Sequence, residues 1–359
     1  MVTAEAAIDE AKAEAFAGQM IGLVNGSMLG LQISIGHQVG LFDKMAELPP
    51  STSQEIADAT NLNERYVREW LGSMTTGRLV DYDPPSGKYS LAPEHAGFLT
   101  RAAGPNNLAA MFQFLPEMGR VEEKIIACFR NGGGVGYDAY PRFVELMREE
   151  SAAVVDATLV DVTLPLVAGL PEKLELGIDV ADVGCGAGHA INLMAKTYPN
   201  SRFAGYDFSD EALGVARAEA EEWGLKNAKF EARDAANLGI NEQVDLVTTF
   251  DSVHDQAHPA EMLASLYAAL KPGGDYLCVD IAASSKLEEN MEHPLAPMLY
   301  TISTLHCMTV SLAYDGVGLG TVWGEQKALE MMTDAGFTGI EVKRVEGDIL
   351  NNYYVAHKP

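Results

Sequence analysis

The stretch that most constrains the fold runs from Ile178 to Met194, IDVADVGCGAGHAINLM. Ile178, Val180, Ala181 and Val183 form a short apolar run suited to a buried parallel strand, and Ala190, Ile191 and Met194 then recur at helical spacing. A strand-to-helix turn is therefore predicted over Gly184, Gly186 and Gly188. Glycine lets the backbone approach a ligand closely, and the free N–H groups and dipole of the following helix favour an anionic group. The spacing is G-x-G-x-G, whereas a dinucleotide fingerprint needs G-x-G-x-x-G, and His189 stands where its third glycine belongs. Pyrophosphate fits poorly. Asp182, two residues before the turn, adds a carboxylate, which suits a ligand carrying an ammonium and a carboxylate together, as the methionine end of S-adenosylmethionine does. Taken alone, the turn reads equally as a cofactor loop or a plain tight turn.

Its surroundings decide between the two. Downstream, strand and helix patterns alternate, as in a parallel sheet covered on both faces. Phe203 to Tyr206 leads into Asp207, twenty-three residues past Gly184 and close to the roughly 20 at which an acid meets ribose hydroxyls in dinucleotide folds. Asp207 is thus the expected ribose ligand. KFEARDAANL brings Asp234 to the end of a third strand, where its carboxylate and the Ala235 N–H could reach an adenine edge. VDLVTTFDSVHD supplies a fourth strand and its exit, and LKPGGDYLCVD a helix end, a Pro-Gly-Gly turn and a fifth strand. The tail gives a helix, EQKALEMMTDAG, and two strands, GIEVKRV and NNYYVAHKP, near enough in sequence to pair antiparallel.

With 359 residues, 47% of them hydrophobic, the chain can fill two cores. Residues 41–99 read as three helices, LFDKMAEL, SQEIADAT and NERYVREWLGSMTTG, then two strands across PPSG, with Ser53 and Asn63 as helix caps. That is a winged-helix pattern, so DNA binding has to be weighed. The net charge of -26, and thirteen acidic side chains against six basic ones in residues 1–100, oppose it. The alternative is a module that packs against another copy and walls off a pocket. The apolar, Gly- and Met-rich run from Met20 to Phe42 exceeds what one small domain buries, which predicts a homodimer. The expected domains are 1–100, a winged-helix and dimerisation domain; 101–170, a helical connector and lid; and 171–359, the cofactor-binding domain. In the connector, Tyr137 and Tyr140 flank a glycine loop, and anchoring it to the core is favoured over touching a ligand. The acidic, alanine-rich start lacks a secretory pattern, no run is long and apolar enough to span a bilayer, and Cys128, Cys185, Cys278 and Cys307 are scattered. A cytoplasmic protein with reduced thiols and no membrane partner is expected.

In this order, DVGCGAG, GYDFS, RDA, FDSVHD and LKPGGDYL resemble a class I S-adenosylmethionine-dependent methyltransferase, the likeness covering Ile178 to Asp280 and extending through the closing strand pair. The resemblance implies an α/β, Rossmann-like seven-stranded sheet with its last strand antiparallel, and an N-terminal, mainly α winged-helix domain. It also implies S-adenosylmethionine as cofactor, held by Gly184, Gly186, Gly188, Asp207, Phe208, Asp234 and Ala235, with Asp182, Phe250 and Asp251 in the same set. With the winged helix, the chain is similar to small-molecule, O-methyltransferase-like enzymes that dimerise through that module. Such relatives often carry His-Asp-Trp after the fourth strand, the histidine acting as general base on a phenol or similar nucleophile; here the match is His254-Asp255-Gln256. His254 is therefore either the base or a residue that hydrogen-bonds backbone at the pocket mouth. Pro259 starts a new helix, so His254 and His258 do not share a helical face and no metal is expected. His306 and Cys307 line the acceptor pocket or simply belong to the core. A nicotinamide oxidoreductase and a DNA-binding regulator with a methyltransferase-like sensor remain as alternatives.

Overall fold

The computed structural model describes residues 8–359. The chain divides into two compact units, Met1–Pro116 and Glu117–Pro359.

The first unit holds α1 (Glu10–Gln38), α2 (Leu41–Glu47), α3 (Ser53–Thr60) and α4 (Glu64–Thr76), then β1 (Asp81–Asp83) and β2 (Lys88–Ser90) paired antiparallel. This is the winged helix read from the sequence. One cap differs: Thr52, not Ser53, opens α3, because its hydroxyl accepts from the Glu55 N–H while the Glu55 side chain returns to the Thr52 backbone, a closed capping box. The Ser53 hydroxyl instead donates to Glu64 Oε1 at 2.6 Å. Asn63 caps α4 as expected, accepting from the Arg65 N–H. Phe42, Ile56, Leu71 and Met74 are buried, at roughly 1.5–3 kcal/mol per large side chain removed from water. Trp70 Nε1 donates to the Gln32 carbonyl at 2.9 Å and fastens the C-terminal half of α1 to α4. Among the described residues the N-terminal half has no such cover: Phe16, Ile21, Val24 and Met28 stand exposed. On α4, Arg65 pairs with Glu69 and Arg68 with Glu64, so neither guanidinium is presented alone.

The second unit is built on a seven-stranded sheet of β3 (Asp179–Val183), β4 (Arg202–Asp207), β5 (Ala228–Ala232), β6 (Val244–Phe250), β7 (Leu270–Ile281), β8 (Thr338–Lys343) and β9 (Asn351–His357). Their order is β5-β4-β3-β6-β7-β9-β8, and β9 alone runs antiparallel to both neighbours. Both faces are covered. Ala181, Val183, Val247, Leu263 and Leu266 pack on one side and Val180, Leu246, Ile191 and Met194 on the other, which is why the strands read as apolar runs without alternation. Strand order reverses between β3 and β6, and an open α/β sheet presents its ligand crevice at the carboxyl ends beside such a reversal. The Pro-Gly-Gly segment read as a turn lies inside β7: the Gly273 N–H donates to the Lys358 carbonyl, and the β6–β7 register shift between Val244 and Leu246 absorbs the irregular residues. Helix Pro259–Ala269 begins at its proline, as read. Residues 117–170 also belong to this unit. Among the described residues no single helix is long and apolar enough to cross a membrane, and all four cysteines are free.

Candidate active site

The glycine turn follows β3 directly. Gly184 and Gly188 have φ near +74° and +71°, and a Cβ on either would come within 2.5 Å of Ser252 or Ala216, so close packing adds to the left-handed backbone in requiring glycine. Gly186, at φ +52°, has nothing within 4 Å of such a Cβ. The Gly186 N–H donates to Asp207 Oδ2 at 2.8 Å, and the Ser209 N–H to Oδ1 at 2.9 Å. Burial raises the Asp207 carboxyl above its ordinary value, and these backbone donors oppose the rise. Each oxygen retains a lone pair for an incoming hydroxyl. Phe208 follows with its ring more than half exposed. Asp182 lies beneath the turn, accepting from Thr248 Oγ1 at 2.9 Å, and burial pushes its carboxyl up to about 7. Asp234 is exposed and caps the short 3-10 turn at Ala235–Asn237, accepting from the Ala236 N–H. Phe250 ends β6. Asp251 follows in a left-handed conformation, with a buried Oδ1 that no donor meets.

A second group assembles at the ends of β6 and β7. His254 Nδ1 lies 2.8 Å from Asp280 Oδ1, and the same oxygen accepts from Trp323 Nε1 at 3.0 Å and the Ile281 N–H at 2.8 Å. Asp280 Oδ2 has no donor. Burial alone would depress the His254 imidazolium, but Asp280, with Cys307 adding to it, outweighs that and holds it well above its ordinary value. Asp280 thus favours the protonated form of the imidazole against the burial that disfavours it. Burial, then Asp280, pushes the Asp251 carboxyl up to about 7. One ligand atom each from Asp251, His254 and Asp280 lies within 4.8 Å of the others, a separation a cation could bridge. His258, the other half of the H-D-x-x-H spacing, instead precedes helix Pro259–Ala269 as its N-terminal cap position. His306, on a π-helical turn at Ser303–Cys307, stacks on Phe143 at 3.8 Å; burial, with the charge on His254, lowers it to about 3, so it is neutral.

Sequence reasoning placed the turn and Asp207 together, and they touch. It placed His254 correctly at the exit of β6 but did not single out Asp280 or Trp323. An acid at the C-terminal end of the strand beside the histidine was the available signal for Asp280; for Trp323, far down the chain, there was none.

Residues 27–101 match a family profile described as an Rv2258c-like winged HTH domain, and residues 174–336 match a methyltransferase domain. The chain is a winged helix joined to a methyltransferase domain. Curated relatives of the methyltransferase domain include a trans-aconitate 2-methyltransferase of Variovorax paradoxus, 27% identical over 34% of this chain and 44% of that protein. A demethylmenaquinone methyltransferase of Lactococcus lactis is 28% identical over 29% and 42%. The chain thus spans less than half the length of these relatives. Among solved structures, human N-acetylserotonin methyltransferase in complex with SAM superposes over 100% of this chain and 99% of its own, with a TM-score of 0.67 and 19% identity. The mitomycin 7-O-methyltransferase MmcR covers 97% and 99% at 0.69 and 17%. An O-methyltransferase family protein from Burkholderia thailandensis covers 95% and 98% at 0.68 and 14%. At these identities the shared property is the fold.

Proposed function

We propose that the protein transfers a methyl group from S-adenosylmethionine to the hydroxyl of an uncharged small molecule, with His254 as general base. One observation carries this: the Gly186–Asp207 turn and the His254–Asp280 pair stand at the carboxyl edge of the same parallel sheet, on strands β3, β4, β6 and β7. The donor set fits the cofactor. Gly186 is open, Asp207 can accept from ribose hydroxyls, and the buried, unpartnered Asp251 Oδ1 suits an ammonium. Gly184, Gly188, Asp182, Phe208, Asp234, Ala235 and Phe250 complete the proposed cofactor set. When bound, the cofactor supplies a methyl carbon on a sulfonium. The chain's own work is to hold the acceptor oxygen in line with that carbon and to take its proton. Because Asp280 engages His254 Nδ1, Nε2 is the nitrogen that receives it, and the buried carboxylate then stabilises the imidazolium formed.

The acceptor's charge follows from the groups around this pair. Among the described residues acting most strongly on Asp251 and Asp255, His254 is the only base; Asp280, Asp348 and Asp207 are acids, as is Glu150, which burial pushes up to about 7. A carboxylate acceptor would be repelled. Titration of the full-length protein with S-adenosylhomocysteine tests the core of the proposal, and no heat of binding up to millimolar ligand would sink it.

The uncovered apolar face of α1 is assigned to a second copy of the chain, since a homodimer would remove Phe16, Ile21, Val24 and Met28 from water. Light scattering that gives a monomer at micromolar concentration would remove this assignment. Free thiols favour a reducing compartment, the cytoplasm, and the paired Arg65 and Arg68 weigh against nucleic acid as a partner.

A further inference from the structure

The glycine loop between helices Glu122–Asn131 and Phe143–Thr158 is a docked strap. Gly132 and Gly133 turn it with φ of +72° and +87°. Gly134 then lies so close to helix Met308–Ala313 that a Cβ would overlap the backbone of Thr309 and Ala313. The Val135 N–H donates to Thr309 Oγ1 at 3.0 Å, and the Tyr140 hydroxyl to the Leu305 carbonyl at 2.5 Å. These contacts deliver Tyr137 to a particular place. Its hydroxyl donates to Asp255 Oδ2 at 2.7 Å, next in sequence to His254. Its ring stands 5.0 Å from Phe208, next in sequence to Asp207, and 5.5 Å from His306.

One ring thus touches the neighbours of both the ribose acid and the base. On the methyl-transfer function proposed above, Tyr137 and Phe208 would stand between the residues that hold the ribose half of the cofactor and the base, where the sulfur facing the acceptor would be held. Burial, then the Asp255 carboxylate, holds the phenol well above its ordinary value, so the ring stays neutral and electron-rich. Such a face attracts a cation and gains little from an uncharged thioether. We infer that Tyr137 is the residue by which this site favours the charged sulfonium of S-adenosylmethionine over the neutral sulfur of S-adenosylhomocysteine. Phe208 contributes a second ring to the same wall. The product, having lost its charge with its methyl, is then held less tightly than the substrate would be on shape alone.

The test is calorimetric titration of the full-length protein and its variants with each ligand separately. Tyr137→Leu should weaken S-adenosylmethionine by about 5- to 30-fold, the range for a desolvated cation over a ring, and S-adenosylhomocysteine by less than about twofold. Tyr137→Phe keeps the ring and loses the Asp255 hydrogen bond; it should leave the ratio of the two affinities within about twofold of the parent. Should the leucine variant not fold, Tyr137→Gln removes the ring with a polar chain of similar reach and carries the same expectation. Equal weakening of both ligands would reduce Tyr137 to a purely structural wall, and an unchanged ratio in a ring-less variant would overturn the inference. Failure of the parent to bind either ligand would instead strike the methyl-transfer function itself.

Discussion

The turn after β3 and the cluster after β6 stand at the same edge of one sheet, yet they satisfy their polar groups in opposite ways. Asp207 is held by two backbone N–H groups, and of the three glycines beside it Gly186 alone is open, with none of the Asp207 oxygens left without a donor. Around His254, Asp280 Oδ2 and Asp251 Oδ1 are buried with no donor, and Asp251 is pushed up to about 7. The first half is complete before anything binds. The second is short of donors and cations, which a ligand with hydroxyl or ammonium groups would supply, because an unmet buried polar atom costs about 1–3 kcal/mol.

If that contrast is right, damage to the two halves separates in the assays. The largest effect is expected from His254→Ala, which should lower turnover by roughly 10²- to 10⁴-fold and leave S-adenosylhomocysteine affinity unchanged, since it removes a base and no part of the turn. A parallel loss of affinity, read by calorimetry, would merge the halves. Asp207→Ala comes next: it should weaken S-adenosylhomocysteine by about 10- to 100-fold, the worth of hydrogen bonds to a charged group, and an unaltered affinity would remove the ribose assignment.

A third effect concerns pH. A base works only unprotonated, and His254 sits well above its ordinary value, so kcat/KM should climb with pH and level off above that raised value. Asp280→Asn removes the charge that raises it, so the rising limb should move toward lower pH. A limb that stays put, in a profile measured with an acceptor protonated throughout, would detach Asp280 from the base. The smallest effect is expected from metal removal: dialysis against a chelator should change turnover by less than about twofold if the Asp251, His254 and Asp280 group works without a cation. A large loss restored by a divalent ion would recast His254 as a ligand.

The same contrast explains what could be read from the chain. The turn, Asp207 and the closing strands were legible because their partners lie within one strand-helix repeat and follow a periodic pattern. His254 was legible only through its place at a strand exit. Asp280 is not distinguished by its sequence, since an acid at a strand end looks the same whether it faces a histidine or water. Tyr137 and Asp255 are 118 residues apart, and no periodicity reports such a contact. Where local chemistry misled, the competition was also local: Thr52 and Ser53 are both good caps, and Glu55 decides between them by completing the box around Thr52. The Pro-Gly-Gly segment reads as a turn until β9 is present to pair with β7.

Gly134 has a practical consequence. It is the one point where the strap meets helix Met308–Ala313 with no space for a methyl group, and it touches none of the residues proposed for chemistry. Gly134→Ala is therefore a handle for experimenters: it should lift the strap and leave the turn, His254 and Asp280 in place. The lifted state would show as faster hydrogen exchange at the Val135 amide.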